Sequence, residues 1–282
     1  MTAASAADLA SGKGHTDENF PVASFMLKPA HRGPIMAFYR FARTADDVSD
    51  NPDAPSTEKL AHLEAMRATL NGESNADAPS LSLRQSLMQH SFGPQNGFDL
   101  LEAFRRDCTK TRYADWAELL DYCRYSAAPV GRFVLDVHGE DRALWPANDA
   151  LCAALQVINH LQDCGKDRRA LDRVYLPMDV LTAAGLDVDA LLLPVAPAPL
   201  RRVISGLAAR ARDELLMRSR PFASRIKDAR LAFEVAFIQR LAEDLCERLI
   251  RNDPLSERVH HSKLEMGALA LRAGVDRLTN RR

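Results

Sequence analysis

The chain has 282 residues, 46% hydrophobic and 27% charged, which fits a globular protein with a sizeable core and excludes a disordered one. Lys and Arg total 37 against 38 Asp and Glu, a net charge of −1, so there is no basic excess to grip phosphates and no nucleic-acid partner is expected. The five cysteines are odd in number and lack a CxxC pair, which argues against a zinc knuckle or a disulfide framework and for a reducing, cytoplasmic location.

Residues 1–14 have no basic residue before Lys13, carry Asp8 and hold no long apolar run, so they read as a loose tail and not a signal peptide. Prolines cluster at 21–34, 52–55 and 194–199. Between and beyond them, proline-free stretches at 56–78, 95–128, 147–176 and 222–253 carry apolar residues three and four apart, the spacing of a helix face. Leu60, Leu63, Met66 and Leu70 mark the first stretch, Leu151, Leu155, Ile158 and Leu161 the third, and Leu241, Leu245 and Leu249 the fourth. Ser56 and Asn148 are the capping candidates, and residues 71–80 read as a polar loop. The most apolar run, around 190–200, is broken by three prolines and is shorter than the roughly 20 residues a membrane span needs. Residues 255–282 predict one more amphipathic helix, whose basic end either meets anionic lipid or is simply a solvated terminus that favours cations. No period-2 alternation and no repeat is present, so the expectation is all-α. One domain spans 15–282, with 251–282 as an extra helix.

Two Asp-x-x-x-Asp patterns, Asp46…Asp50 and Asp163…Asp167, would each place two carboxylates on one helix face. With 25 aspartates in the chain, about two such pairs arise by chance, so the surroundings have to decide. Arg43 lies three residues before Asp46 and four before Asp47; it either forms an intrahelical salt bridge or grips a diphosphate oxygen. Arg40 is the more solvent-facing of the two. Gln156, Asn159, Asp163 and Asp167 form one polar stripe without Lys or Glu, an odd composition for a solvated face. Mg²⁺ would suit such paired carboxylates, since it takes one or two per ion and completes its shell with water and phosphate oxygens.

The segments FARTADDVSD, YCRYSAAPVG (122–131) and NHLQDCGKDRRALDRVYLP (159–177) resemble the squalene/phytoene synthases. Within that family, ENFPVAS (18–24) and residues 107–132 are similar to the bacterial hydroxysqualene-forming branch. The resemblance covers roughly 15–250 and implies an isoprenoid-synthase helical bundle around an apolar cavity. It also implies Mg²⁺-dependent ionisation of presqualene diphosphate, carbocation rearrangement and quench by water, with no NADPH. The family alternatives are presqualene diphosphate, squalene or phytoene synthesis from prenyl diphosphates such as farnesyl diphosphate, and a non-catalytic assembly factor stands further off.

On this resemblance Asp46, Asp50, Asp163 and Asp167 are the metal ligands, supported by Asp47 and Asn159, while Arg43 and Arg173 meet diphosphate charge. Tyr122 falls where the family places a tyrosine facing the reacting carbons; the alternative is a half-buried aromatic on an amphipathic helix. Gln156, Phe20 and Phe38 join the substrate-binding set, although Phe20, Phe38, Phe104 and Tyr39 equally suit plain core. Ala127, Ala128 and Gly131 leave room for an isoprenoid chain or for close helix contact. Gln162 stands where many relatives carry Arg, and His15 is one residue further from Phe20 than the family's early histidine. Functional coupling to a presqualene diphosphate synthase and a flavin-dependent reductase follows, as does peripheral contact with the inner membrane, because substrate and product are lipids.

Overall fold

The computed structural model describes residues 28–279; among them no strand forms, and one isolated bridge pairs Arg112 with Val174. In chain order the helices are α1 (Pro29–Asp50), α2 (Ser56–Asn71), α3 (Ala78–His90), α4 (Gln95–Asp107), α5 (Trp116–Ser126), α6 (Ala128–Val137) and α7 (Trp145–Gln162). They continue as α8 (Cys164–Leu171), α9 (Met178–Ala183), α10 (Ala198–Arg210), α11 (Met217–Ser219), α12 (Phe222–Arg225), α13 (Ala229–Arg251) and α14 (Lys263–Thr279). A π-helical stretch, Ala211–Leu216, joins α10 to α11. The chain divides into two compact units. The first takes the chain up to Lys110 with Pro129–Asp141, and the second takes Thr111–Ala128 with everything from Arg142 on.

In the first unit, α1 buries Ile35, Phe38, Phe41, Ala45 and Val48, one stripe at helical spacing, against α3 and α4. The predicted face of α2 is present: Leu63, Met66 and Leu70 are buried and Leu60 packs at its edge. Ser56 is not a cap, because Pro55 holds that position and Ser56 opens the helix, its hydroxyl donating to the Cys108 carbonyl at 2.7 Å. The expected loop over 71–80 is shorter than read. Asp77 accepts from Ser80 N at 2.8 Å and starts α3 at Ala78, a cap that a composition-based reading passes over.

In the second unit, α13 carries the predicted Leu241, Leu245 and Leu249, all buried, and packs on α7 and α10. Each such leucine stabilises the fold by about 1.5–3 kcal/mol. Asp228 caps α13 by accepting from the amides of Arg230 and Leu231. Asn148 lies inside α7 and not at its start, since Pro146 in the first turn lets the helix begin earlier. The proline-free stretch 95–128 is two helices, because Asp115 starts a new one: it accepts from Glu118 N, and the Glu118 carboxylate accepts from Ala114 N. The expected C-terminal helix forms as α14, tied to α13 by Arg248, which bridges Asp244 at 2.6 Å and Glu265 at 2.5 Å.

All five cysteines are free. Burial pushes the thiols of Cys123, Cys164 and Cys246 up to about 12, so these three are inert packing groups. Among the described residues no helix is long and apolar enough to cross a membrane.

Candidate active site

The first acidic pair occupies the last turns of α1. Its apolar stripe faces the core, which turns Arg43, Asp46, Asp47 and Asp50 away from the fully buried positions. Arg43 reaches Asp46 at 3.1 Å and Asp47 at 2.5 Å, the intrahelical ion pair that the spacing allowed. Asp47 is the better covered of the two, its side chain 11% exposed against 37% for Asp46. Asp50 ends the helix and accepts from Ser49 Oγ at 3.4 Å, and Arg40 is exposed. Three carboxylates therefore crowd the negative end of a helix whose last turn holds no basic residue. The macrodipole and mutual repulsion both disfavour that arrangement, and a bound cation would relieve both. The donors are hard oxygens, which suits Mg²⁺.

The second acidic pair is built differently. Asp163 falls between α7 and α8 with φ −97° and ψ 7°, the sparsely allowed bridge region. The expected single helix is thus broken at the motif itself. Its polar stripe survives because the hydrogen bonding does not break: Asp163 N donates to Asn159 O at 2.9 Å, and Asp167 N donates to Asp163 O at 2.8 Å. Gln156, Asn159, Asp163 and Asp167 therefore still follow one another along the chain at turn spacing. Asp167 sits in the first turn of α8, where the helix end favours a negative charge, and Lys166 lies 3.9 Å from Asp163.

Two residues fix this jog. A Cβ at Gly165 would come within 2.7 Å of the Leu255 side chain and 3.1 Å of the Leu191 carbonyl, so only glycine lets these segments close on the motif. Gln162 is buried and donates to the Val259 carbonyl, which ties the end of α7 to the chain beyond α13.

Tyr122 is buried at the heart of a cluster that joins three stretches of sequence. Its ring lies 5.3 Å from Tyr113, 5.5 Å from Tyr175 and 5.9 Å from His160, and His160 stacks on Tyr175 at 3.5 Å. Val174 N donates to Thr111 O and Met178 N to Tyr113 O, which holds the segment after α8 alongside the one before α5. His160 Nε2 is 3.1 Å from the Gln156 amide nitrogen. Burial, and next the nearby Arg173, lower the His160 imidazole to about 3, so it is neutral in ordinary buffer. Arg173 is itself buried, and its amide donates to the Asp167 carbonyl.

The structure thus gathers Arg43, Asp46, Asp47 and Asp50 on one helix end. It gathers Gln156 with Tyr122 around His160, and Asn159, Asp163, Asp167 and Arg173 along the α7–α8 jog. Phe38 stands apart from the aspartates, stacked on Phe133 at 4.3 Å in the core of the first unit. Phe20 and His15 lie outside the described residues. Among the described residues no three His, Cys, Asp or Glu side chains converge on one point. His160, Tyr113 and Tyr175 escaped the sequence reading; the aromatic character of RVYLP was the one local hint, and a lone histidine on an apolar helix gives none.

The squalene/phytoene synthase family model matches residues 13–265. Hydroxysqualene synthase of Zymomonas mobilis is 56% identical over 275 residues, covering 97% of this chain and 92% of its own. Hydroxysqualene synthase of Rhodopseudomonas palustris is 51% identical over 261 residues, covering 93% of this chain and 89% of its own. Among solved structures, squalene synthase HpnC from Alicyclobacillus acidocaldarius superposes with a TM-score of 0.72 at 31% identity, over 87% of this chain and 92% of that one.

Proposed function

Because the chain belongs to the squalene/phytoene synthase family, we propose that it converts presqualene diphosphate to hydroxysqualene. The observation that carries this reading is the neutral aromatic cluster around buried Tyr122, two of whose members, His160 and Tyr175, flank the Asp163–Asp167 pair in the chain. Leaving-group departure needs oxygen ligands and cations for diphosphate, and the carbocation left behind needs π-faces without competing charge.

Bound Mg²⁺ would supply positive charge to the departing diphosphate. Asp46 with Asp50, and separately Asp163 with Asp167, are the carboxylates that would act as its ligands. Asp47 keeps Arg43 placed, and Asn159 extends the second stripe toward Gln156. Arg43 and Arg173 are the chain's own diphosphate partners. Arg43 would exchange a carboxylate for a phosphate oxygen, and Arg173 stands at the turn where its amide bonds to Asp167. Tyr122 offers its ring face to the cation. Phe20 is assigned to the apolar side of the substrate set, whereas Phe38 is packed in the core of the first unit.

The reaction carries no reduction step, so NADPH has no role. In a pathway of this chemistry, one enzyme joins two farnesyl diphosphates ahead of this step and a flavin-dependent reductase follows it. A cytoplasmic protein with lipid on both sides of its reaction would work in peripheral contact with the inner membrane.

Diphosphate release by purified protein, followed in parallel with presqualene diphosphate and with farnesyl diphosphate, both without NADPH, tests the assignment. Release from presqualene diphosphate alone is expected. Release from farnesyl diphosphate alone would move the protein to the coupling step, and release from neither would overturn the enzyme assignment.

A further inference from the structure

We infer that His160, set by Gln156, holds the water that quenches the cation, an inference that rests on the function proposed above. His160 is 8% exposed, its ring lies flat on Tyr175, and it stands beside the tyrosine assigned to the reacting carbons. The group that meets Nε2 is an amide nitrogen, which can only donate. Nε2 therefore carries the lone pair and the ring proton sits on Nδ1. Among the described residues that Nδ1–H meets no acceptor. Although the residue is largely covered, Nδ1 is not one of the fully sealed unpartnered atoms among the described residues, so a single water can reach it and is the usual partner where the protein supplies none.

The chemistry fits this placement. A free imidazole lone pair beside a carbocation would be alkylated or would take a proton, but here Gln156 engages that lone pair. A neutral Nδ1–H can hold a water oxygen through one lone pair and leave the other for attack. A charged donor at the same spot would repel the cation. In the quench, the water lone pair forms the C–O bond and one water O–H bond breaks with its electrons kept on oxygen. The proton goes to the diphosphate released in the same turnover, and nothing is oxidised or reduced.

Two variants test the assignment on presqualene diphosphate with Mg²⁺ and no reductant, with products read by gas chromatography–mass spectrometry. His160→Phe keeps the stack and removes the donor. The share of consumed substrate that becomes hydroxysqualene should fall about tenfold, the loss expected for one hydrogen bond. Hydrocarbon formed by proton loss from the cation should replace it. His160→Asn, whose amide nitrogen can stand where Nδ1 does, should restore much of the alcohol. An unchanged product split in His160→Phe overturns the inference.

Should His160→Phe lack the wild-type circular dichroism spectrum, Gln156→Leu replaces it. That change frees the Nε2 lone pair and should shift the split the same way, and alcohol as its sole product overturns the inference equally. Wild-type protein that makes no hydroxysqualene at all sinks the proposed function first, which separates the two failures.

Discussion

The two acidic pairs share a spacing and differ in construction. Asp46 and Asp50 end an unbroken helix where the macrodipole is against them, and Arg43 tempers the repulsion from within the same helix. Asp163 and Asp167 straddle a break, the second of them on the favourable end of the next helix, with an exposed lysine near the first. One motif is thus paid for in electrostatics and the other in backbone geometry. A four-residue spacing specifies which side chains share a direction and leaves open how the chain sustains it.

The largest test of this contrast is chemical. Asp46→Asn and Asp163→Asn should each cost more than about a hundredfold in turnover, the scale of losing one group that stabilises developing charge. Near-normal rates in both would remove the metal-site assignment from both units. Their thermal melts should separate them, with Asp46→Asn level with or slightly above wild type because it relieves a crowded helix end. Gly165→Ala should destabilise by about 1–3 kcal/mol in urea unfolding, because its methyl group meets Leu255 and the Leu191 carbonyl. A neutral result here would erase the distinction drawn between the two pairs.

A smaller effect follows from His160. Its folded pKa of about 3 lies below the unfolded value near 6.5, so the unfolded state takes up the proton first. The associated stability is fully present above about pH 6.5 and is lost as pH falls toward 3. At pH 5 the loss is about 2 kcal/mol relative to neutral pH. Burial and Arg173 cause the shift, so His160→Phe should flatten the slope between pH 7 and 5, and a slope equal to wild type would contradict it. The smallest effect is Arg43→Met. Its part-buried intrahelical ion pairs contribute a few tenths of a kcal/mol each, so unfolding should barely move while affinity for inorganic diphosphate drops.

The helices were legible in the sequence because prolines bound them and apolar residues recur along them, as at Leu241, Leu245 and Leu249. Their ends were less so. Asp77 and Asp115 act as caps through single side-chain-to-amide bonds that composition does not reveal, whereas Ser56 and Asn148 looked like caps and are not. The acidic pairs were visible as spacing, yet the break at Asp163 was not, since its neighbours all tolerate a helix and the jog comes from long-range contacts at Gly165 and Gln162. The His160–Tyr175–Tyr122 stack joins residues far apart in sequence, and no local pattern announces it.

The most direct measurement is the product formed by purified protein from presqualene diphosphate with Mg²⁺ and without NADPH, identified by gas chromatography–mass spectrometry with and without chelator. Hydroxysqualene that disappears when chelator is added is the expected result. Untouched presqualene diphosphate, or the same product in undiminished yield with chelator present, would contradict it.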